Sequence, residues 1–163
     1  ARIAATRKTA PGLSHFDKKA VVIGGGDAHR WGLDDMVLIK DNHIVVAGGV
    51  RQAIERVRGE TSFSKKIEVE VQDLNDLLET AKAGVDIIML DNFTPKQTKE
   101  AVESLKKARL RDRVLIEASG GITEHNLLDY ASAGVDVISL GEITHSIKAL
   151  DLSLEITKVR KAP

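Results

Sequence analysis

The chain has 163 residues, enough for one domain with a real hydrophobic core. Its 24 lysines and arginines balance 24 aspartates and glutamates, so no global field draws it to nucleic acid or an anionic membrane, and charge-driven chemistry must be local. No apolar run approaches the ~20 residues that span a bilayer, and the lack of cysteine removes disulfides and thiolate metal sites, so a cytoplasmic setting is expected.

ARIAAT at the start reads as a short strand, residues 2–6, feeding Arg7 and Lys8. A chain that opens at Ala1, already inside an element, is expected to be a domain of a longer protein, with sequence preceding it. HFDKKAVVIGG suits a helix or a strand, and the spacing of Phe16, Ala20 and Val21 slightly favours the helix. GGGDAHR, residues 24–30, lacks the GxGxxG spacing of a dinucleotide turn and reads as a flexible loop. The apolar run from Met36 to Ile39 predicts a strand over 37–41, buried on both faces, that runs straight into Lys40, Asp41, Asn42 and His43. Val50, Ala53, Ile54 and Val57 then mark a helix before the strand KIEVEV, residues 66–71.

Two segments fifty residues apart echo each other, AKAGVDIIMLDNF from Ala81 and ASAGVDVISLGEI from Ala131. Each reads as a helix end, a glycine stop at Gly84 or Gly134, a tight turn and a buried strand, giving strands over 86–91 and 136–140. The helix before the first echo carries Leu74, Leu77, Leu78 and Ala81 on one face behind Asp73. The next carries Ala101, Val102, Leu105 and Ala108, and opens with Thr94 as cap, Pro95 at the first position and Gln97 completing a capping box. A strand over 114–119 follows, then a helix marked by Leu127, Leu128 and Ala131, and LSLEI near the end suggests a last strand. Strand and helix alternate throughout, which implies parallel strands joined by helical crossovers. The fold class is therefore α/β. A parallel βα barrel, TIM-like and incomplete or open, is favoured over a doubly wound sheet because no GxGxxG follows the first strand.

Polar groups collect where the strands stop: Arg7 and Lys8, Lys40, Glu70, Asp91, Ser119 with Gly120 and Gly121, and Gly141. In a parallel barrel all these ends lie on one face, where catalytic groups gather. Taken singly, each has an ordinary reading. A strand-end lysine is usually solvated. Glu68 and Glu70 alternate with valines and suit an edge strand facing solvent. Asp91 with Asn92 suits an Asx turn, SGGI a tight turn, and His29 a surface histidine. Together they form a ring of cations, glycine turns and two carboxylates suited to a polyanion and a divalent metal. Facing does not separate Glu68 from Glu70, but Glu70 lies nearer the strand end and is expected at the mouth. Neither HxxxH nor HExxH spacing occurs, which disfavours a hydrolytic zinc site.

TRKTAPGL, HRWGLDDMVLIKDNHI, IEVEV, IMLDNF, EASGGI and GVDVISLGEITHS resemble, in unbroken order from residue 2 to about residue 146, the motifs of the quinolinate phosphoribosyltransferase family, in its C-terminal barrel. The resemblance implies magnesium-dependent transfer from phosphoribosyl pyrophosphate to quinolinate, with decarboxylation, giving nicotinate mononucleotide, pyrophosphate and carbon dioxide on the way to NAD. By the same resemblance, Arg7, His29, Arg30 and Lys40 would hold the quinolinate carboxylates, and Lys8 would lie near the reacting centre. Glu70 and Asp91 would approach the ribose and Mg2+ through water, and Ser119, Gly120, Gly121, Gly141 and His145 would hold the 5′-phosphate. It also implies an N-terminal sandwich domain outside residues 1–163, and a homodimer or larger homo-oligomer whose site is shared between subunits. Asp27 and Ala28, where other polar residues are common, and Ser14, where arginine is common, depart from the family pattern. Rival readings are a paralogue acting on another pyridine, an isomerase or aldolase barrel using Lys40 as a Schiff-base lysine, and a phosphate-holding assembly module.

Overall fold

The computed structural model describes residues 1–159. Six strands, β1 (Arg2–Ala4), β2 (Val37–Ile39), β3 (Ile67–Val71), β4 (Ile87–Asp91), β5 (Leu115–Ser119) and β6 (Val137–Ser139), form one all-parallel sheet in the order β1-β6-β5-β4-β3-β2. That order is cyclic in sequence, with no reversal of the kind that makes the crevice of a doubly wound sheet, so the sheet is an arc of a βα barrel. β1 and β2 do not pair with each other, and the barrel stands open between them.

Among the described residues seven α-helices accompany the strands: α1 (Ser14–Ile23), α2 (Asp41–Ala47), α3 (Val50–Glu60), α4 (Leu74–Ala83), α5 (Pro95–Lys107), α6 (Leu127–Ser132) and α7 (Glu142–His145). None of the described helices is long and apolar enough to cross a membrane. The predicted caps form. Asp73 accepts from the backbone N–H groups of Asn75 and Asp76, and Thr94 and Gln97 make a reciprocal box ahead of Pro95. The apolar faces of α3, α4 and α5 bury Ile54, Leu77 and Leu105 against Val69, Ile88, Leu90 and Ile116, a layer of fully shielded side chains outside the sheet.

The echoed AGVD segments have a physical reason. The Asp86 carboxylate accepts from Ile67 N–H at 2.8 Å, and the Asp136 carboxylate accepts from Ile116 N–H at 2.8 Å. Asp86 thus satisfies the first amide of β3 and Asp136 the second amide of β5, each tying the entry of one strand to the start of its neighbour. Because every strand is entered at a matched level, the register rows run level across the arc. One row joins Glu70, Met89, Glu117 and Val137, and the row two residues further up, on the same face, joins Asp91, Ser119 and Ser139.

Four expectations change. Asp41–Ala47, which follows Lys40 directly, is a helix that the sequence reading did not mark; Lys40 N–H donates to the His43 ring at 2.9 Å. GGGDAHR is pinned at the free edge of β1, where Asp27 N–H donates to Ile3 O at 2.9 Å and Ala5 N–H donates to Asp27 O at 2.8 Å. LSLEI, residues 152–156, forms no strand and is exposed, since no described segment offers its backbone a partner. α1 is helical as expected but turns the other way. Phe16, Val22 and Ile23 are exposed, and its one buried side chain is Lys18.

Candidate functional site

β3 is an interior strand and all five of its residues are buried, so neither glutamate faces solvent as an edge strand would allow. Both point into the arc at different depths. Glu70 borders the mouth and accepts from the Lys40 ammonium at 2.7 Å. Glu68 lies deeper and fully shielded, with neither carboxylate oxygen hydrogen-bonded.

A cavity of about 400 Å³ opens at the C-terminal ends of the strands. Arg7, Lys8, His29, Arg30, Lys40, Glu70, Asp91 and Ser119 all line it. A second cavity of about 320 Å³ adjoins it, lined by Gly120, Gly121, Gly141 and His145, and the two share Thr6, Lys8, Ser119 and Ser139. Every predicted site residue therefore falls in one of two neighbouring hollows, with Lys8 and Ser119 at the seam. Among the described residues Arg7 and Lys8 form no ion pair, which leaves their charges to the mouth.

Backbone conformation shapes both hollows. His29 and Asn92, two of three non-glycine residues with positive φ, at 58° and 57°, both line the mouth. Asn92 N–H donates to Ser119 O at 2.8 Å and its side chain donates to the Asp91 carboxylate at 2.8 Å, so the ordinary reading of Asp91 as an Asx turn gives way to a link between two strand ends. Gly120 has φ 95°, and a β-carbon there would lie 2.3 Å from Asn92 Oδ1 and 3.0 Å from its backbone nitrogen, so only glycine fits. SGGIT does not open directly onto a helix, because a turn closed by Asn126 accepting from Thr123 N–H intervenes before α6. Gly141 does cap a helix, the single turn α7.

Glu117 is the main residue the sequence reading missed. His29 Nε2 lies 3.0 Å from one Glu117 oxygen and 3.7 Å from Glu68, while Ser139 Oγ donates to the other Glu117 oxygen at 2.5 Å. Burial disfavours charge on His29, but the two carboxylates outweigh it and raise its pKa to about 10. Burial pushes the Glu68 carboxyl up, and the neighbouring Glu117 charge adds to this, against the pull of His29. His29 and Glu117 also border a cavity of about 440 Å³ toward the opposite ends of the strands, so the pair forms a polar floor between the two ends of the barrel. The signal for Glu117 was present: one carboxylate inside the buried strand LIEAS, at the same alternation as Glu68 and Glu70. Ligand atoms of His29, Glu68 and Glu117 lie within 4.8 Å of one another, but the His29 Nε2 that would face an ion is already hydrogen-bonded to Glu117 at 3.0 Å. Glu70 and Asp91, on the mouth itself, are the better fit for Mg2+, which keeps most of its waters and takes one or two carboxylates beside substrate phosphates.

Fold and site together define an α/β-barrel domain with a cation-rich, glycine-lined mouth at the ends of its strands. The family described as quinolinate phosphoribosyl transferase, C-terminal domain, matches residues 1–155, and the chain belongs to that family. A protein of Methanothermobacter thermautotrophicus named as a probable carboxylating nicotinate-nucleotide pyrophosphorylase is 55% identical over 155 residues, covering 95% of this chain and 56% of its own length. The human carboxylating nicotinate-nucleotide pyrophosphorylase is 40% identical over 161 residues, covering 99% of this chain and 54% of its own length. The solved structure of NadC from Streptococcus pyogenes superposes with a TM-score of 0.86 at 42% identity, covering 94% of this chain and 52% of that one. The chain thus spans about half the length of the relatives it matches.

Proposed function

We propose that this chain is the barrel part of a decarboxylating phosphoribosyltransferase that converts quinolinate and phosphoribosyl pyrophosphate to nicotinate mononucleotide, pyrophosphate and carbon dioxide. The observation that carries this is the pair of adjoining cavities, one rich in cations and one built on glycine turns, meeting at Lys8 and Ser119. A pyridine dicarboxylate in the first and a sugar 5′-phosphate in the second would bring the pyridine nitrogen and the ribose C1 together at that seam. The names of the relatives fit the same reaction.

In this reading Arg7, His29, Arg30 and Lys40 hold the two carboxylates, and Gly120, Gly121, Gly141, Ser119 and His145 hold the 5′-phosphate. The bond from C1 to pyrophosphate breaks as the pyridine nitrogen bonds to C1. Positive charge develops on the ribose, where Glu70 and Asp91 stabilise it. The resulting pyridinium accepts the electron pair released as carbon dioxide leaves C2, and C2 takes a proton from water. Lys8, at the seam, is placed to hold the groups in line. Mg2+, held through water by Glu70 and Asp91, would neutralise the pyrophosphate that departs.

A cytoplasmic homodimer or larger homo-oligomer that shares the site between subunits belongs to the same proposal. Apolar side chains beside the mouth support a cover. Trp31 and Leu33 follow Arg30, and Val45 and Val46 lie on α2, which starts at Lys40; all four are exposed. The test is calorimetric titration of the chain with quinolinate, nicotinate and phosphoribosyl pyrophosphate. Binding of quinolinate in preference to nicotinate supports the reading, and equal or absent binding of the two pyridines overturns it.

A further inference from the structure

Lys18 is fully shielded from solvent, and it is the only buried side chain of α1. Its ammonium donates to Ala28 O at 2.6 Å and to Arg30 O at 2.7 Å, and no carboxylate among the described residues pairs with it. A buried ammonium without a counter-ion is costly, and here the two carbonyl acceptors are what offset that cost. The two carbonyls it holds bracket His29, whose backbone is left-handed at φ 58° and whose N–H donates to Asp27 at 2.8 Å. With the carbonyls of the Ala28–His29 and Arg30–Trp31 peptides both turned toward Lys18, the segment between them is fixed, the imidazole meets Glu117 at 3.0 Å, and Arg30 follows it onto the wall of the mouth.

We propose that Lys18 is a positioning residue for the dicarboxylate subsite: its ammonium clamps the carbonyls of Ala28 and Arg30, so that His29 and Arg30 present their charges to one carboxylate-bearing ring. The inference rests on the reading of the mouth as that subsite. Lys18 touches no ligand itself. Its charge adds little to the field at the phosphate cavity, which it does not line. Its loss is therefore selective between the two ligands.

The test compares the chain with Lys18→Met, and with Lys18→Cys alkylated by 2-bromoethylamine before refolding. The sequence has no cysteine, so this thiol is unique and its product restores a lysine-like ammonium. We expect Lys18→Met to bind quinolinate about tenfold or more weakly, while phosphoribosyl pyrophosphate stays within about twofold, and the alkylated variant to recover the quinolinate affinity. Equal losses for both ligands, an unchanged quinolinate affinity, or no recovery in an alkylated variant that binds phosphoribosyl pyrophosphate normally would each overturn it. If the unsubstituted chain binds no quinolinate, the subsite reading fails, and the clamp is then judged by the His29 imidazole nitrogen resonances. A change in Lys18→Met upholds the clamp and no change refutes it. Should Lys18→Met not fold, Lys18→Gln, which keeps two N–H donors, carries the same comparison. Failure of both to fold would make Lys18 a purely structural lysine.

Discussion

Lys40 and His29 carry the sharpest consequences for single residues. Lys40 bridges the mouth to Glu70 at 2.7 Å while staying about half exposed, so its removal takes a cation from the dicarboxylate and also frees a buried carboxylate. Lys40→Met should weaken quinolinate binding by roughly 1.5–3 kcal/mol, with a smaller effect on phosphoribosyl pyrophosphate. Titration of both ligands checks this, and equal losses would indicate a general field effect. His29 sets a pH dependence. Its folded pKa of about 10 lies above the ordinary 6.5, so its contribution to stability is complete below 6.5 and is lost as pH rises toward 10. Glu68, with its carboxyl pushed up, acts with the same sign, because the folded chain holds a proton that the unfolded chain releases. The melting temperature should accordingly be lower near pH 9.5 than near pH 6.5, in scans where quinolinate binding also fades only as pH nears 10. Glu117→Gln should move that loss of binding to lower pH, read from titrations at a series of pH values. Glu117 and Lys18 escaped the sequence reading because each is a charged residue in a buried setting, and burial is decided by neighbours distant in sequence, here His29 and Ala28.

Among the elements, the turns divide into those that only end a helix and those that build the site. Gly84 ends α4 with φ 76° and has open space where a β-carbon would go, whereas the same atom on Gly120 would meet Asn92 at 2.3 Å. Gly84→Ala should cost about 1 kcal/mol of stability and leave ligand affinity alone. Gly120→Ala should displace Asn92 or the loop and lower the affinity for inorganic phosphate, as titration and thermal melting of the two variants will show. Thr94→Ala, at a cap that lines neither cavity, is expected to cost about 1 kcal/mol with phosphate binding unchanged. Helices with local signals, such as the Asp73 and Thr94 caps, were legible in the sequence because a cap is satisfied within three residues. α2 was not, since its first residue follows a strand without any linker and its capping partner is a histidine, outside the usual set of caps.

For the whole molecule, the open arc matters most. The mouth meets solvent between β1 and β2, and water there screens the charges on which the proposed transfer would depend. We expect this chain to fold and bind phosphate but to turn over quinolinate several orders of magnitude more slowly than a polypeptide of the full length of its relatives, since water in the open mouth weakens each charged contact there and the loss of one such contact is commonly worth ~2.7–4 kcal/mol. Side-by-side assays of the two settle it, and comparable rates would sink the shared-site idea. The sequence by itself determined the α/β class, the alternating elements, the helix caps and the rim of Arg7, Lys8, Lys40, Glu70, Asp91 and Ser119, because periodicity and strand ends are local properties. Only the tertiary structure decided that the expected open barrel has its gap between β1 and β2, that LSLEI finds no partner, that both glutamates of β3 face inward at different depths, and that Lys18 points inward while Phe16 does not. Those outcomes depend on which strand edge meets which across the closing gap and on which buried backbone carbonyls need a donor, and both are settled by contacts between residues far apart in the chain.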